Sequence, residues 1–326
     1  MKTPILSIKP LESRIAPATL TVMNLADAGA GSLRDTIGAS NAGDTIVFKA
    51  GLAGTLVLTS GEIAIDHALT IKGPGSNKII LDGNDTSRIF EIYDGFATDS
   101  PVSISGLALT HGNSSGQGGA IYSEESLTLK NCVVSNNTGL YVGGVATHNA
   151  QTVVIDHCTI AGNKATDGAN ATGGGLCLLA SKSIVLSGNT IIGNTSAHQG
   201  GGAYIQVLGG NAGAGITISK NLVSGNEASF EGGGLFVVNH NSDVKSKVLI
   251  AANTISGNSV LDNGSLGGGL FVESTLHGTI TGVKVLGNIA RDTGGGIYNA
   301  AGVNVTLFGS TVSGNVAHTD PDRHGI

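Results

Sequence analysis

The chain has 326 residues, 52 of them glycine; aromatic residues make up 4% and charged residues 12%, tryptophan is absent, and the formal net charge is −6. So few bulky side chains cannot fill a wide globular core, yet 40% hydrophobic content is too much for a disordered chain, and glycine without a three-residue period excludes collagen. With only five arginines and no basic stripe there is no nucleic-acid interface to expect, and no apolar run of about 18 residues is present to cross a membrane as a helix.

In chain order, Met1–Leu20 has an early lysine and an alanine-rich end, but Lys9, Glu12 and Arg14 interrupt any hydrophobic stretch, which argues against a standard secretory signal. Residues 31–41 follow, where Ser32 with Asp35 forms a weak capping box and Leu33 with Ile37 a one-sided apolar stripe. This predicts a short helix that lids the N-terminal end of a stack of strands, since bare end strands invite edge-to-edge association. Alternating apolar positions at 63–65, 69–71, 79–84, 102–104 and 107–109 then predict two or three irregular coils.

From 113 to 315 the pattern becomes a repeat. An [IV]-x-G-N motif, with Asn136 in place of the glycine in the first copy, recurs at Val134–Asn137, Ile160–Asn163, Ile191–Asn194, Val223–Asn226, Ile255–Asn258, Val285–Asn288 and Val312–Asn315, with intervals of 26, 31, 32, 32, 30 and 27 residues between the final asparagines. Interleaved with it is a run of glycines followed by an apolar pair, as in Gly173–Cys177, Gly200–Tyr204 and Gly232–Phe236. Each repeat holds three apolar stretches of period two, such as Leu127/Leu129 and Ile184/Leu186, which read as short strands with one face inward. A coil of roughly 30 residues cannot bury that face alone; stacked coils bond rung to rung and pile like side chains into columns. The predicted fold is therefore all-β, a single right-handed parallel β-helix with three sides and roughly 8–10 coils. A fixed corner position reads Cys132, Cys158, Asn189, Asn221, Asn253, Val283, Ser310, which predicts an internal asparagine ladder. Nothing after Asn315 matches the N-terminal lid, so that end is expected either to be exposed or to continue into a longer natural chain. Cys132 and Cys158 should lie one rung apart, within disulfide range, but in-register neighbours rarely offer the torsion, so free buried thiols are expected.

These residues resemble known families. The block Asn24–Ile37 with Asn41–Phe48 is similar to the GSLR…AGDTIVF opening of bacterial β-helix surface proteins, and the GGAI and GN copies resemble the polymorphic outer membrane protein repeat and the pectin-lyase-like superfamily. Leu11–Ala18 looks like the short segment that opens many planctomycete surface proteins. The resemblance implies an export or sorting segment at 1–22, a β-helix domain at 23–326, and a location outside or on the surface of a bacterium. It implies a polysaccharide or a host or cell-surface glycan as partner. Because the superfamily holds adhesins, lyases and glycosidases, it leaves the chemistry open.

Two surface features are candidate sites. A polysaccharide lyase of this fold needs acids converging on Ca²⁺ and a basic residue beside a uronate; the densest polar patch is Glu124, Lys130, His148 and Asp156, whose plain alternative is a solvated ion pair across two rungs. No facing carboxylate pair of a glycosidase can be placed. The second feature is the row Tyr122, Ala146, Cys177, Tyr204, Phe236, Phe271, Tyr298, whose aromatic members Tyr122, Tyr204, Phe236, Phe271 and Tyr298 are either an exposed stripe on which sugar rings stack or a packed ladder. A threonine-rich row after the corner, with Thr159, Thr190, Thr254 and Thr311, is broken by Leu222 and Lys284 and is sufficiently explained by strand propensity. The nine histidines have no metal-ligand spacing. No cofactor or metal is expected, Ca²⁺ entering only with the lyase alternative. The expected function is an extracellular structural or adhesive protein that contacts glycans, the alternative a polysaccharide lyase or glycoside hydrolase.

Overall fold

A computed structural model of the chain describes residues 16–95, 98–208, 214–239, 247–274, 277–300 and 304–326. The coil that begins at Ile121 shows how the sequence turns into a rung. Ile121–Ser123 and Leu127–Lys130 alternate inward and outward, a corner at 131–132 redirects the chain into Val133–Ser135, and a second corner at 136–137 leads into Thr138–Gly139. Each of these strands pairs in parallel with its counterpart one coil later, for example Val134 with Ile160 and Leu127 with Val153. Repetition builds a sheet of ten strands from Gly54–Val57 to Thr311–Ser313, a sheet of seven two-residue strands, and a 19-stranded sheet that holds the first two strands of every coil. The predicted right-handed β-helix is the observed fold.

Inward residues form continuous columns. Ile160, Ile191, Val223 and Ile255 are all fully buried and directly in register, each worth roughly 1.5–3 kcal/mol of apolar burial. The corners hold the polar counterpart. From Asn137 through Asn163, Asn194, Asn226, Asn258 and Asn288 to Asn315, each side-chain amide donates Nδ2–H to the next Oδ1 at 2.8–2.9 Å. Each Oδ1 also accepts the preceding corner's backbone N–H. The shorter ladder predicted at Asn189, Asn221 and Asn253 forms in the same way. Cys132 and Cys158 extend that column as free buried thiols, with the Cys132 N–H donating to Cys158 Sγ at 3.5 Å.

Three details depart from the expected pattern. Coils have a fourth strand, the two-residue segments such as Lys164–Ala165 and Thr195–Ser196. Val145–Asp156 and Leu176–Ser187 run as single 12-residue strands through the corner where other coils turn, and the register between them slips at 147–152. The cap helix is Leu33–Gly38, shorter than 31–41. Ser32 Oγ accepts the Asp35 N–H at 3.2 Å, but the Asp35 carboxylate takes Gly29 N–H and not that of Ser32, so only half of the capping box exists. Leu33 and Ile37 bury their side chains on the end of the core, as a lid requires. Asp27 ties this lid to the next coil. Burial alone would raise its pKa, but hydrogen bonds from Arg34, Ser60 and Thr59 hold the carboxyl far below the usual range. At the other end Val305, Leu307 and Val312 are only partly buried, and residues 316–324 add bridges to the last coil at Val316, Thr319, Arg323 and His324.

Candidate functional site

The aromatic row points away from the coil interior, yet it is not a surface. Tyr204, Phe236 and Phe271 are 7%, 1% and 3% exposed, and Tyr122 and Tyr298 are half-buried. The reason is the turn before them. The first glycine of each triplet lies in the left-handed region and folds the chain back over the row; at Gly232 (φ 62°) a Cβ would lie 2.8 Å from Phe236 Cβ, and at Gly267 (φ 67°) 2.9 Å from Phe271 Cβ. Rings from Tyr204 through Phe236, Phe271 and Tyr298 to His324 stack at 4.7–5.0 Å with planes within 10°. Their faces are taken by one another, and Val142, Val238, Leu179 and Leu266 close the sides. Of the two alternatives the packed ladder is the one observed, so Tyr122, Tyr204, Phe236, Phe271 and Tyr298 are not an open ligand-binding stripe: the row is a second hydrophobic seam outside the core.

The polar patch comes apart. His148 and Asp156 stand eight residues apart on one strand, on the order of 25 Å at strand rise. Lys130 and Asp156 are register partners, but the Asp156 carboxylate is bonded to His157 Nδ1 at 2.8 Å, and Lys130 is exposed. Glu124 lies away from that pair, one residue after Ser123 and on the rung next to His148, where its Oε1 accepts the Tyr122 hydroxyl at 2.7 Å. Burial, together with this carboxylate, pushes the Tyr122 phenol pKa well above its ordinary value.

Around Glu124 the structure assembles a different site. A cleft of about 270 Å³ is lined by Tyr93, Thr98, Asp99, Glu124, Glu125, Asn149 and Gln151. Three consecutive coils supply these residues at the same corner: the connection after Phe90–Ile92, the turn after Ile121–Ser123, and the slipped middle of Val145–Asp156. Asn149 sits at φ 60°, and the irregularity there re-aims Asn149 and Gln151 toward the cleft, as a bulge does. The floor is tightly bonded. Asp99 accepts Ser126 N–H and Oγ–H at 2.7 Å each, and Glu125 accepts Ser100 N–H at 2.7 Å while Ser100 Oγ donates to Asp94 at 2.6 Å. Glu125 is buried, and that burial raises its pKa; the neighbouring Asp94 carboxyl, hydrogen-bonded to it, adds to the rise against the bonds from Ser100 and Asp94 N–H. Tyr93, half exposed at 50%, stands at the rim.

The sign of the Glu125 shift has a measurable consequence. A carboxyl with a folded pKa above its unfolded one favours the neutral form in the fold. Its contribution is intact below the unfolded pKa and is lost as pH rises through the folded one. Glu125→Gln, which keeps an acceptor for Ser100, should therefore flatten the loss of stability as pH climbs out of the ordinary carboxylate range. Urea midpoints of both proteins across acid pH check this, and parallel curves would contradict it.

Sequence reasoning found Glu124 but missed Tyr93, Asp99, Glu125, Asn149 and Gln151. Tyr93 and Asp99 precede the regular repeat, Glu125 lies in its first coil, and Asn149 and Gln151 fall where the register of the second coil slips, so no column of copies marks these positions as special. The one available signal was acidic residues at 91–99 and at 124–125, one coil apart. Among the described residues no three His, Cys, Asp or Glu side chains converge as a metal-ligand set, and no helix is long and apolar enough to cross a membrane.

Against this geometry the comparisons with known proteins are informative about architecture. The structure is similar to a pectate lyase, Pel9A, with a TM-score of 0.51 at 14% identity, over 93% of this chain and 81% of that one. It is also similar to the A-module of the Azotobacter vinelandii mannuronan C-5 epimerase AlgE6, at 14% identity and a TM-score of 0.44 over 90% of this chain and 96% of that one. No curated protein sequence matches the chain. The model of the right-handed β-helix region matches residues 53–248, well over half of the sequence, and the stacked rungs are those of that family. The chain belongs to the right-handed β-helix family.

Proposed function

We propose that this protein is an exported, cell-surface β-helix that binds a glycan in the cleft at Tyr93 and Glu124. The observation that carries the proposal is the composition of that cleft. A half-exposed aromatic ring stands beside carboxylate, amide and hydroxyl side chains on three successive rungs, the combination that stacks on a sugar ring while bonding its hydroxyls. The rungs are rigid, so these groups are held in place before a ligand arrives. Export and surface location rest on the resemblance of the N-terminal blocks; Met1–Ile15 lie outside the described residues.

A second reading is favoured by one observation. Glu125 and Asp94 share a hydrogen bond, and Glu125 is held toward its protonated form next to Glu124, which is how a glycosidase distinguishes acid from base. A lyase draws less support, since its basic residue has no place in this lining and Lys130 lies at the far end of its strand.

A glycan array probed with the wild-type chain and with Tyr93→Ala tests the proposal. Binding is expected for the wild type and a loss of about tenfold or more for the variant, as removal of a stacking aromatic implies. Equal signals from both would remove the cleft from consideration. Release of new reducing ends from a bound glycan, abolished by Glu125→Gln, would select the hydrolase reading over simple binding.

A further inference from the structure

We infer that the ligand of this cleft is a glycan free of carboxylates, and that protonated amino sugars suit it better than neutral ones. The inference rests on the glycan reading above and adds the charge class. Of the seven lining residues, Asp99, Glu124 and Glu125 are acidic and none is Lys, Arg or His, and Asp94 stands directly behind Glu125. Glu91 lies one coil before Glu124 and Glu62 one coil before that, on the same flank.

Of the cations nearby, Arg88 is already engaged. Arg88 places its guanidinium over the Tyr122 ring at 5.4 Å, and it donates to Glu62, Glu91, Ser114 Oγ and Gly118 O. Lys182 Nζ donates to the neutral Gln151 Oε1 and so brings one positive charge to the cleft's edge, against the three carboxylates of the lining. A polyuronate would bring one carboxylate per sugar against this lining, and like charges at contact distance repel most where solvent is partly excluded. A divalent cation could reverse the sign only with a ligand set to hold it, and none converges among the described residues.

The opposite charge is well served. Asp99 and Glu125 are held by backbone and serine donors. Glu124 is bonded through one oxygen to Tyr122, stands one rung from His148, and lines the cleft with no ion pair among the described residues, in reach of an ammonium group on a sugar whose ring lies against Tyr93. Glu124 is the residue that should separate amine from hydroxyl.

Calorimetric titration of the intact chain with hexamers of glucosamine, glucose and galacturonate, each with and without calcium chloride, tests the inference. The glucosamine oligomer is expected to bind on the order of tenfold tighter than the glucose oligomer at low salt, and to lose that advantage as salt rises. Galacturonate is expected not to bind in either buffer. Glu124→Gln should bring glucosamine down to the level at which the same variant binds glucose. Galacturonate binding as tight as glucosamine, or appearing with calcium, would overturn the charge assignment and leave the glycan site standing. A glucosamine preference that survives Glu124→Gln would overturn the role of that residue and with it the assignment. Silence from all three oligomers, together with an empty array, would take down the glycan reading and this inference with it.

Discussion

Replacing Asn226 with alanine is expected to cost the fold about 3–6 kcal/mol, although the change removes only a small side chain far from any surface. Asn226 is fully buried. Its Oδ1 accepts from Asn194 N at 3.0 Å and Nδ2 at 2.9 Å, and its own Nδ2 donates to Ile191 O and to Asn258 Oδ1, both at 2.9 Å. Alanine leaves Asn194 with two unmatched donors and Ile191 with an unmatched carbonyl, and each buried orphan costs about 1–3 kcal/mol. Asn226→Asp separates the two halves of the argument: it restores the acceptor but not the donor, and a carboxylate there is buried, so its penalty should grow as pH rises. Urea denaturation at two pH values reads both variants. A loss below about 1 kcal/mol for the alanine variant, no more than an ordinary surface change, would mean that the ladder does not hold the corners.

The aromatic seam carries the second large effect. Phe236 is 1% exposed and lies between Tyr204 at 5.0 Å and Phe271 at 4.7 Å. Phe236→Ala removes a buried ring and its stacking partners' contacts together and should cost about 3–5 kcal/mol. Tyr93→Ala should cost under about 0.5 kcal/mol, since that ring is half exposed. Stability and glycan binding should therefore move apart: Phe236→Ala weakens the fold, and Tyr93→Ala weakens binding alone. A Phe236→Ala protein of wild-type stability that no longer binds glycans would restore the open-stripe interpretation.

What was legible in the sequence follows from repetition. Seven copies of the corner asparagine, six of them preceded by glycine, and of the inward aliphatic position report the same environment seven times, so the columns through Ile160 and Asn194 could be read before any coordinate. Burial of outward residues is a different matter. Whether Phe236 faces water depends on how the chain before Gly232 folds over it, and period-two alternation contains no such information. The two-residue strands were missed because they are shorter than any periodicity can reveal. The cleft was missed for the opposite reason: Tyr93, Asp99 and Gln151 belong to coils that break the repeat, and a site built from exceptions leaves no mark in a pattern of agreements. Lys130 and Asp156 were grouped with Glu124 and His148 because projection onto a coil preserves rung number but says little about distance along the strand.

All of these assignments depend on equivalent positions lying one above another. The column Thr55, Ile80, Ala108, Val133, Thr159, Thr190, Leu222, Thr254, Lys284, Thr311 faces outward on the ten-stranded sheet, each member paired with the next. Spin labels on cysteines at Thr55 and Leu222, and at Thr55 and Thr311, in a background where the native cysteines are replaced, measure that column by pulsed electron resonance. With rungs about 4.8 Å apart, the stack requires main distances near ~29 Å and ~43 Å, in proportion to six and nine rungs. Distances that do not grow with rung number, or a second pair no farther apart than the first, would contradict the stack and every position inferred from it.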